Sequence, residues 1–146
     1  MGFLRTHVHD ERFQFFRLNT HNRSYNPDGE LLTPDSRLPV DGTFDVICLF
    51  SVFTHLEPGD TDCMLAVLRR YIAPSGKLIF TCFLDDSVSG FDDRNQERPL
   101  ERAVYSETLF RHYIARNGWT VDALYPPIQS PCGYWLMQHC FVCSPR

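Results

Sequence analysis

Glycine is scarce and scattered: no two of the eight glycines stand closer than thirteen residues apart. These 146 residues therefore contain no Gly-x-Gly turn, the arrangement that lets a backbone approach a bound ligand closely. Basic clusters are missing as well. Fourteen Lys and Arg stand against eighteen Asp and Glu, a formal net charge of −4, and Lys77 is the only lysine. Phosphate neutralisation needs clustered cations, so nucleic acid is excluded as a main partner. No apolar run approaches the ~18 residues of a membrane span, and no secretory signal is visible. A membrane is not an expected partner, and the default expectation is a soluble cytoplasmic protein. Met1-Gly2-Phe3-Leu4-Arg5-Thr6 formally fits the short myristoylation pattern, but that pattern is loose and Phe3 is bulky for it.

A metal centre also lacks its parts. The six cysteines are Cys48, Cys63, Cys82, Cys132, Cys140 and Cys143. Cys140 and Cys143 have ligand-like spacing, yet on a strand they point to opposite faces. No second Cys or His pair stands at zinc-finger spacing. Cysteines inside apolar segments read as reduced, small hydrophobes of the core.

What is present is a strand–helix–strand order. Phe44–Phe50 runs as Val46, Ile47, Cys48, Leu49, Phe50 without a polar break, the pattern of a strand covered on both faces. Pro58 or Asp60 starts a helix whose Met64, Leu65, Val67, Leu68, Tyr71 and Ile72 form one apolar stripe. Ala73-Pro74-Ser75-Gly76 stops it, and Lys77–Leu84 is the next strand. Upstream, residues 1–12 read as irregular and Arg12–Leu18 as a strand, followed by a turn-rich loop to Thr43. Downstream, Asp85–Val104 is a long polar loop of the kind that forms lids. Ser106 caps a second helix that Asn117-Gly118 closes. Trp119–Tyr125 and Tyr134–Cys143 are the last strands, and with no room for a crossover helix they pair antiparallel. The fold class is α/β. In parallel sheets ligands bind at the carboxyl ends of strands, which directs attention to Ser51-Val52-Phe53-Thr54-His55.

In this order the pieces resemble the class I S-adenosylmethionine-dependent methyltransferases, over about Arg12 to Cys143. Phe44–Leu56 looks like the family's fourth strand and the segment after it. Ala73–Leu78 resembles its Pro-Gly-Gly turn into the fifth strand, with Ser75 replacing one glycine. The closing hairpin is similar to its sixth and seventh strands, and Phe13–Asn26 to its third strand and following loop. The resemblance implies an incomplete Rossmann-like sheet, mostly parallel with a carboxyl-terminal antiparallel hairpin. It also implies S-adenosylmethionine as cofactor and methyl transfer to a small-molecule acceptor that the residues do not identify. Such transfer depends mainly on positioning, water exclusion and sometimes removal of a proton.

By this resemblance Phe50, Ser51, Val52 and Phe53 run beside the cofactor and His55 faces the acceptor. His55 is a general base or a residue that orients the following turn. Asn19 and Thr20 stand where an acidic residue commonly receives the adenine amino group; the Asn19 carbonyl accepts the same bond, or else starts an Asx-type turn. Phe53 is a cofactor wall or core packing. Asp45 is structural.

The family's first two strands, with the glycine-rich loop and ribose-binding acid, have no counterpart here. The 146 residues therefore read as a single, amino-terminally truncated methyltransferase-like domain. Without the first strand, Phe44–Phe50 is expected to expose an apolar edge that invites another chain. A homodimer or a complementing chain would cover it. A catalytically inactive remnant, serving as an interaction or oligomerisation module through that edge, is the alternative.

Overall fold

One long strand organises the molecule. The computed structural model describes residues 2–129 and 135–146. It begins with a short helix, α1 (Gly2–His7), where the sequence reads as irregular. The first strand is β1 (Phe44–Leu49), and a single turn of 3-10 helix follows at Phe53–His55. Helix α2 (Pro58–Arg69) leads into β2 (Ile72–Leu84). Two three-residue strands, β3 (Phe91–Asp93) and β4 (Ala103–Tyr105), precede helix α3 (Glu107–Arg116). Then come β5 (Trp119–Tyr125), the short pair β6 (Ile128–Gln129) and β7 (Trp135–Leu136), and β8 (His139–Pro145).

β2 pairs with β1 in parallel and with β8 antiparallel, and β8 pairs antiparallel with β5. β4 pairs in parallel with the last two residues of β2 and carries β3 antiparallel beyond it. The result is a six-stranded mixed sheet, with the antiparallel closing pair that the missing crossover predicts. β6 and β7 form a separate two-stranded ribbon. Among the described residues no helix is long and apolar enough to cross a membrane.

Among the described residues the core lies on one face of the sheet. Leu78, Phe80 and Cys82 of β2 and Phe141 and Cys143 of β8 alternate inward, as period-two geometry requires. They meet Leu65, Val67 and Leu68 of α2 and Phe110 and Ile114 of α3. Phe53, Phe80, Phe110 and Phe141 form an aromatic cluster with ring centroids 4.8 to 5.6 Å apart. Each such buried side chain stabilises by ~1.5–3 kcal/mol. Two buried polar groups are satisfied in the same layer. Trp119 Nε1 donates to the Leu65 carbonyl at 3.1 Å, and the Tyr105 hydroxyl donates to the Leu56 carbonyl at 2.6 Å.

Local signals place the helices. The Ser106 hydroxyl accepts from the Leu109 amide at 3.2 Å, capping α3. Gly118 follows it at φ 77°, a conformation that glycine adopts without strain. Gly76 meets a different need, since a Cβ there would lie 2.9 Å from the Phe44 carbonyl oxygen.

Several expectations change. β1 is not covered on both faces: both helices longer than two turns, α2 and α3, pack on the other side, leaving Val46 54% and Phe50 63% exposed. Arg12–Leu18 forms no strand. Its backbone has no neighbouring ladder to join, and Phe13 and Phe16 stay exposed. β2 begins at Ile72, not Lys77, because the Ala73–Gly76 turn bulges within its pairing to β1. Asp85–Val104 is not a plain loop, since it contains β3 and the start of β4. The last strand starts at His139, after a break at Met137–Gln138; Tyr134 and Cys132 lie outside the described residues.

Candidate functional site

At the carboxyl end of β1 the chain turns sharply at Ser51, whose φ of 56° is left-handed and unfavourable for a residue with a Cβ. Three contacts hold it. The Ser51 amide donates to Thr81 Oγ1 at 2.8 Å, Thr54 Oγ1 donates to the Ser51 carbonyl at 3.0 Å, and Gln138 Nε2 donates to Ser51 Oγ at 2.8 Å. The turn is thereby tied to β2 and to the residue before β8.

His55 is fixed just beyond it. Its Nδ1 lies 2.8 Å from the Leu100 carbonyl oxygen, which only accepts, so Nδ1 carries a proton and the neutral ring keeps its lone pair on Nε2. Leu100 adopts φ 61°, and its amide donates to Asp93 Oδ2 at 2.9 Å. Asn22 Nδ2 donates to the His55 carbonyl at 2.9 Å, and the Tyr25 ring meets the imidazole edge-on at 5.3 Å. Loop residues from both sides of the sequence thus converge on His55.

Phe50 and Ser51 line a largely apolar cavity of about 750 Å³ on the uncovered face of the sheet. Thr81, Phe83, Tyr125, Met137 and Cys140 complete its walls. That size lies within the range of small-molecule sites. Burial pushes the Cys140 thiol up, with Cys48 adding to the effect, so it is a poor thiolate. Phe53 is elsewhere: it is fully buried, its ring tilted against Phe80 and edge-on to Phe110. Val52 packs half-buried against the same core. Asn19 and Thr20 line a separate cavity of about 180 Å³ with Arg17, Glu30 and Arg37. Asn19 Oδ1 already accepts from Asn26 Nδ2 at 3.2 Å, and the Thr20 carbonyl accepts from the same group at 2.7 Å. The seven residues expected in one site are therefore distributed over the His55 cluster, two cavities and the core.

Tyr125, Met137, Gln138 and Cys140 escape sequence reasoning. The available signal is strand parity. Thr81 and Phe83 alternate with the buried Phe80 and Cys82, Cys140 alternates with Phe141, and two helices suffice for only one face of the sheet. No group of three or more His, Cys, Asp or Glu side chains among the described residues is arranged to hold a metal.

The donor set fits S-adenosylmethionine only in part. Phe50 and Ser51 offer one wall, but no Gly-x-Gly turn is present, and no cavity described above joins Asn19 and Thr20 to Phe50 and Ser51. These residues do not by themselves form a complete site for that cofactor.

No family model matches the chain. Solved structures do. The glycopeptide N-methyltransferase MtfA complexed with S-adenosylmethionine matches with a TM-score of 0.55 and 13% identity, over 75% of this chain and 57% of that one. A S-adenosylmethionine-dependent methyltransferase from Methanosarcina mazei gives 0.57 and 12%, over 82% and 70%. The O-methyltransferase of a trans-AT polyketide synthase of Brevibacillus brevis, in complex with S-adenosylhomocysteine, gives 0.57 and 10%, over 80% and 49%. The chain spans little more than half of the MtfA structure. Its matching part has the fold of the class I S-adenosylmethionine-dependent methyltransferases.

Proposed function

We propose that these residues are the carboxyl-terminal part of an S-adenosylmethionine-dependent methyltransferase acting on a small-molecule acceptor. The remainder of its cofactor site is supplied by a segment that pairs along the free edge of β1, in the same polypeptide or another. The observation that carries this reading is the edge itself. Among the described residues β1 pairs only with β2 and its other edge is open, and Phe44, Val46 and Phe50 are exposed beside the Ser51 turn. An uncapped apolar edge is a template for an added strand.

The chain's own contribution is positional. Phe50 and Ser51 present a wall, while Asn19 and Thr20 stay bonded to Asn26 in their own loop. His55 Nε2, with Nδ1 anchored on Leu100, is available to take a proton from an acceptor hydroxyl or amine. The same edge supports a second reading, an inactive remnant whose exposed strand is an oligomerisation surface.

Sedimentation of the purified chain tests the edge. Self-association is expected, and Val46→Lys, which puts a charge on the exposed strand, is expected to reduce it. A well-folded wild-type monomer would remove the argument. To separate the two readings, S-adenosylmethionine is titrated into the chain extended by the coding sequence upstream of Met1. Micromolar binding supports the methyltransferase; failure of an extension that carries a Gly-x-Gly loop supports the remnant.

A further inference from the structure

Three cavities meet at Phe83 and Met137. The first is the 750 Å³ cavity with its aromatic walls Phe50, Phe83 and Tyr125. Beyond Phe83 lie spaces of about 450 and 290 Å³, both lined by Arg94 and Arg102. The two arginines differ in their bonding. Arg94 is neutralised by Asp85 at 2.8 Å and Asp92 at 2.6 Å. The Arg102 guanidinium makes no ion pair or hydrogen bond among the described residues and lies over the Phe83 ring, 4.9 Å from its centroid.

The acidic groups that line these spaces are engaged. Asp85 holds Arg94 and the Ser87 hydroxyl, and Glu101 is bonded by Asn95 and Arg98. His139 lines the 290 Å³ space, and its Nδ1 is buried with no hydrogen-bond partner among the described residues. A cation and a polar ring nitrogen thus stand unpaired at the rim of an aromatic cavity.

We infer that this groove binds a planar, apolar small molecule carrying one carboxylate, its flat body in the cavity of Phe50, Phe83 and Tyr125 and its carboxylate on Arg102. Aromatic walls favour a flat partner. A guanidinium whose donors are free matches a carboxylate in two parallel bonds, and one placed against an aromatic face is already partly desolvated. That such a molecule is the methyl acceptor rests on the methyltransferase reading; that it binds does not.

The test uses 2-naphthoate and its neutral counterpart 2-naphthamide, titrated into the full chain without cofactor. Binding is followed through the carbon-13 methyl signal of Met137, with the core residue Met64 as internal reference. Naphthoate is expected to bind at least tenfold more tightly than naphthamide and to move Met137 but not Met64. Arg102→Gln, an exposed position, is expected to weaken naphthoate about tenfold and leave naphthamide within twofold. Arg98→Gln, whose partner is Glu101, is expected to change neither. Equal affinity for the two probes, no binding at millimolar concentration, or an Arg102→Gln chain that holds naphthoate as well as the wild type would overturn the inference. Because no cofactor is in the sample, failure to bind S-adenosylmethionine bears on the methyltransferase reading alone.

Discussion

The Leu100 carbonyl fixes the tautomer of His55. The two groups are 2.8 Å apart across forty-five residues of sequence, and Leu100 is itself held in a left-handed conformation with its amide on Asp93. The segment after β2 therefore acts on the turn after β1, although the strands between them carry the sheet.

From this bond the neutral imidazole of His55 carries its proton on Nδ1. Long-range nitrogen–proton correlation spectra recorded above pH 8 will show that tautomer; a protonated Nε2 would contradict it. Substituting His55→Gln should cost about 1 kcal/mol, the usual worth of one such hydrogen bond, read from urea unfolding.

The Ser51 turn depends on Thr81. In Thr81→Val the Ser51 amide loses its acceptor, and the expected loss is about 1 kcal/mol. Amide exchange at Ser51 should accelerate in that variant, and unchanged protection would show that Thr81 is dispensable. Ser51→Gly is expected to be neutral or better for stability, since glycine relieves the φ of 56°.

Alkaline pH should destabilise the fold through its buried thiols. Burial pushes Cys143 up to about 12, with Asp122 adding to it, and burial also raises Cys82. A thiol that ionises later when folded gives stability that is complete below its unfolded value, near 8.5. That stability is lost as pH rises toward the folded value. Urea midpoints should stay level from pH 6 to 8 and then fall, each titrating thiol contributing at most about 1.4 kcal/mol per pH unit. Cys143→Ala should flatten the alkaline slope; an unchanged slope would assign it to other groups.

Much of this architecture is legible in the residues because apolar periodicity is strong where burial is complete. The runs that became α2, β2 and α3 bury Leu65, Phe80 and Phe110, and their pattern shows it, whereas the unbroken apolar run of β1 shows a strand but not that one of its faces is open. β3 and β4 are too short for any period to register, and they sit in a charged stretch. Arg12–Leu18 has the composition of a strand but no neighbour to pair with, and propensity cannot supply one. Phe53 illustrates the limit at the site. The local sequence places it next to Ser51, and only the packing of Phe80 and Phe110 shows that it faces the core. The groove was hidden for a related reason, since Phe83, Arg102 and Met137 come together only through β2, β4 and the approach to β8.

Calorimetric titration of the isolated 146 residues with S-adenosylmethionine tests the half-site account most directly. With one wall of the cofactor site and an open β1 edge, the chain alone is expected to show no binding at millimolar cofactor. Micromolar affinity would mean that these residues form a complete site and would contradict the account.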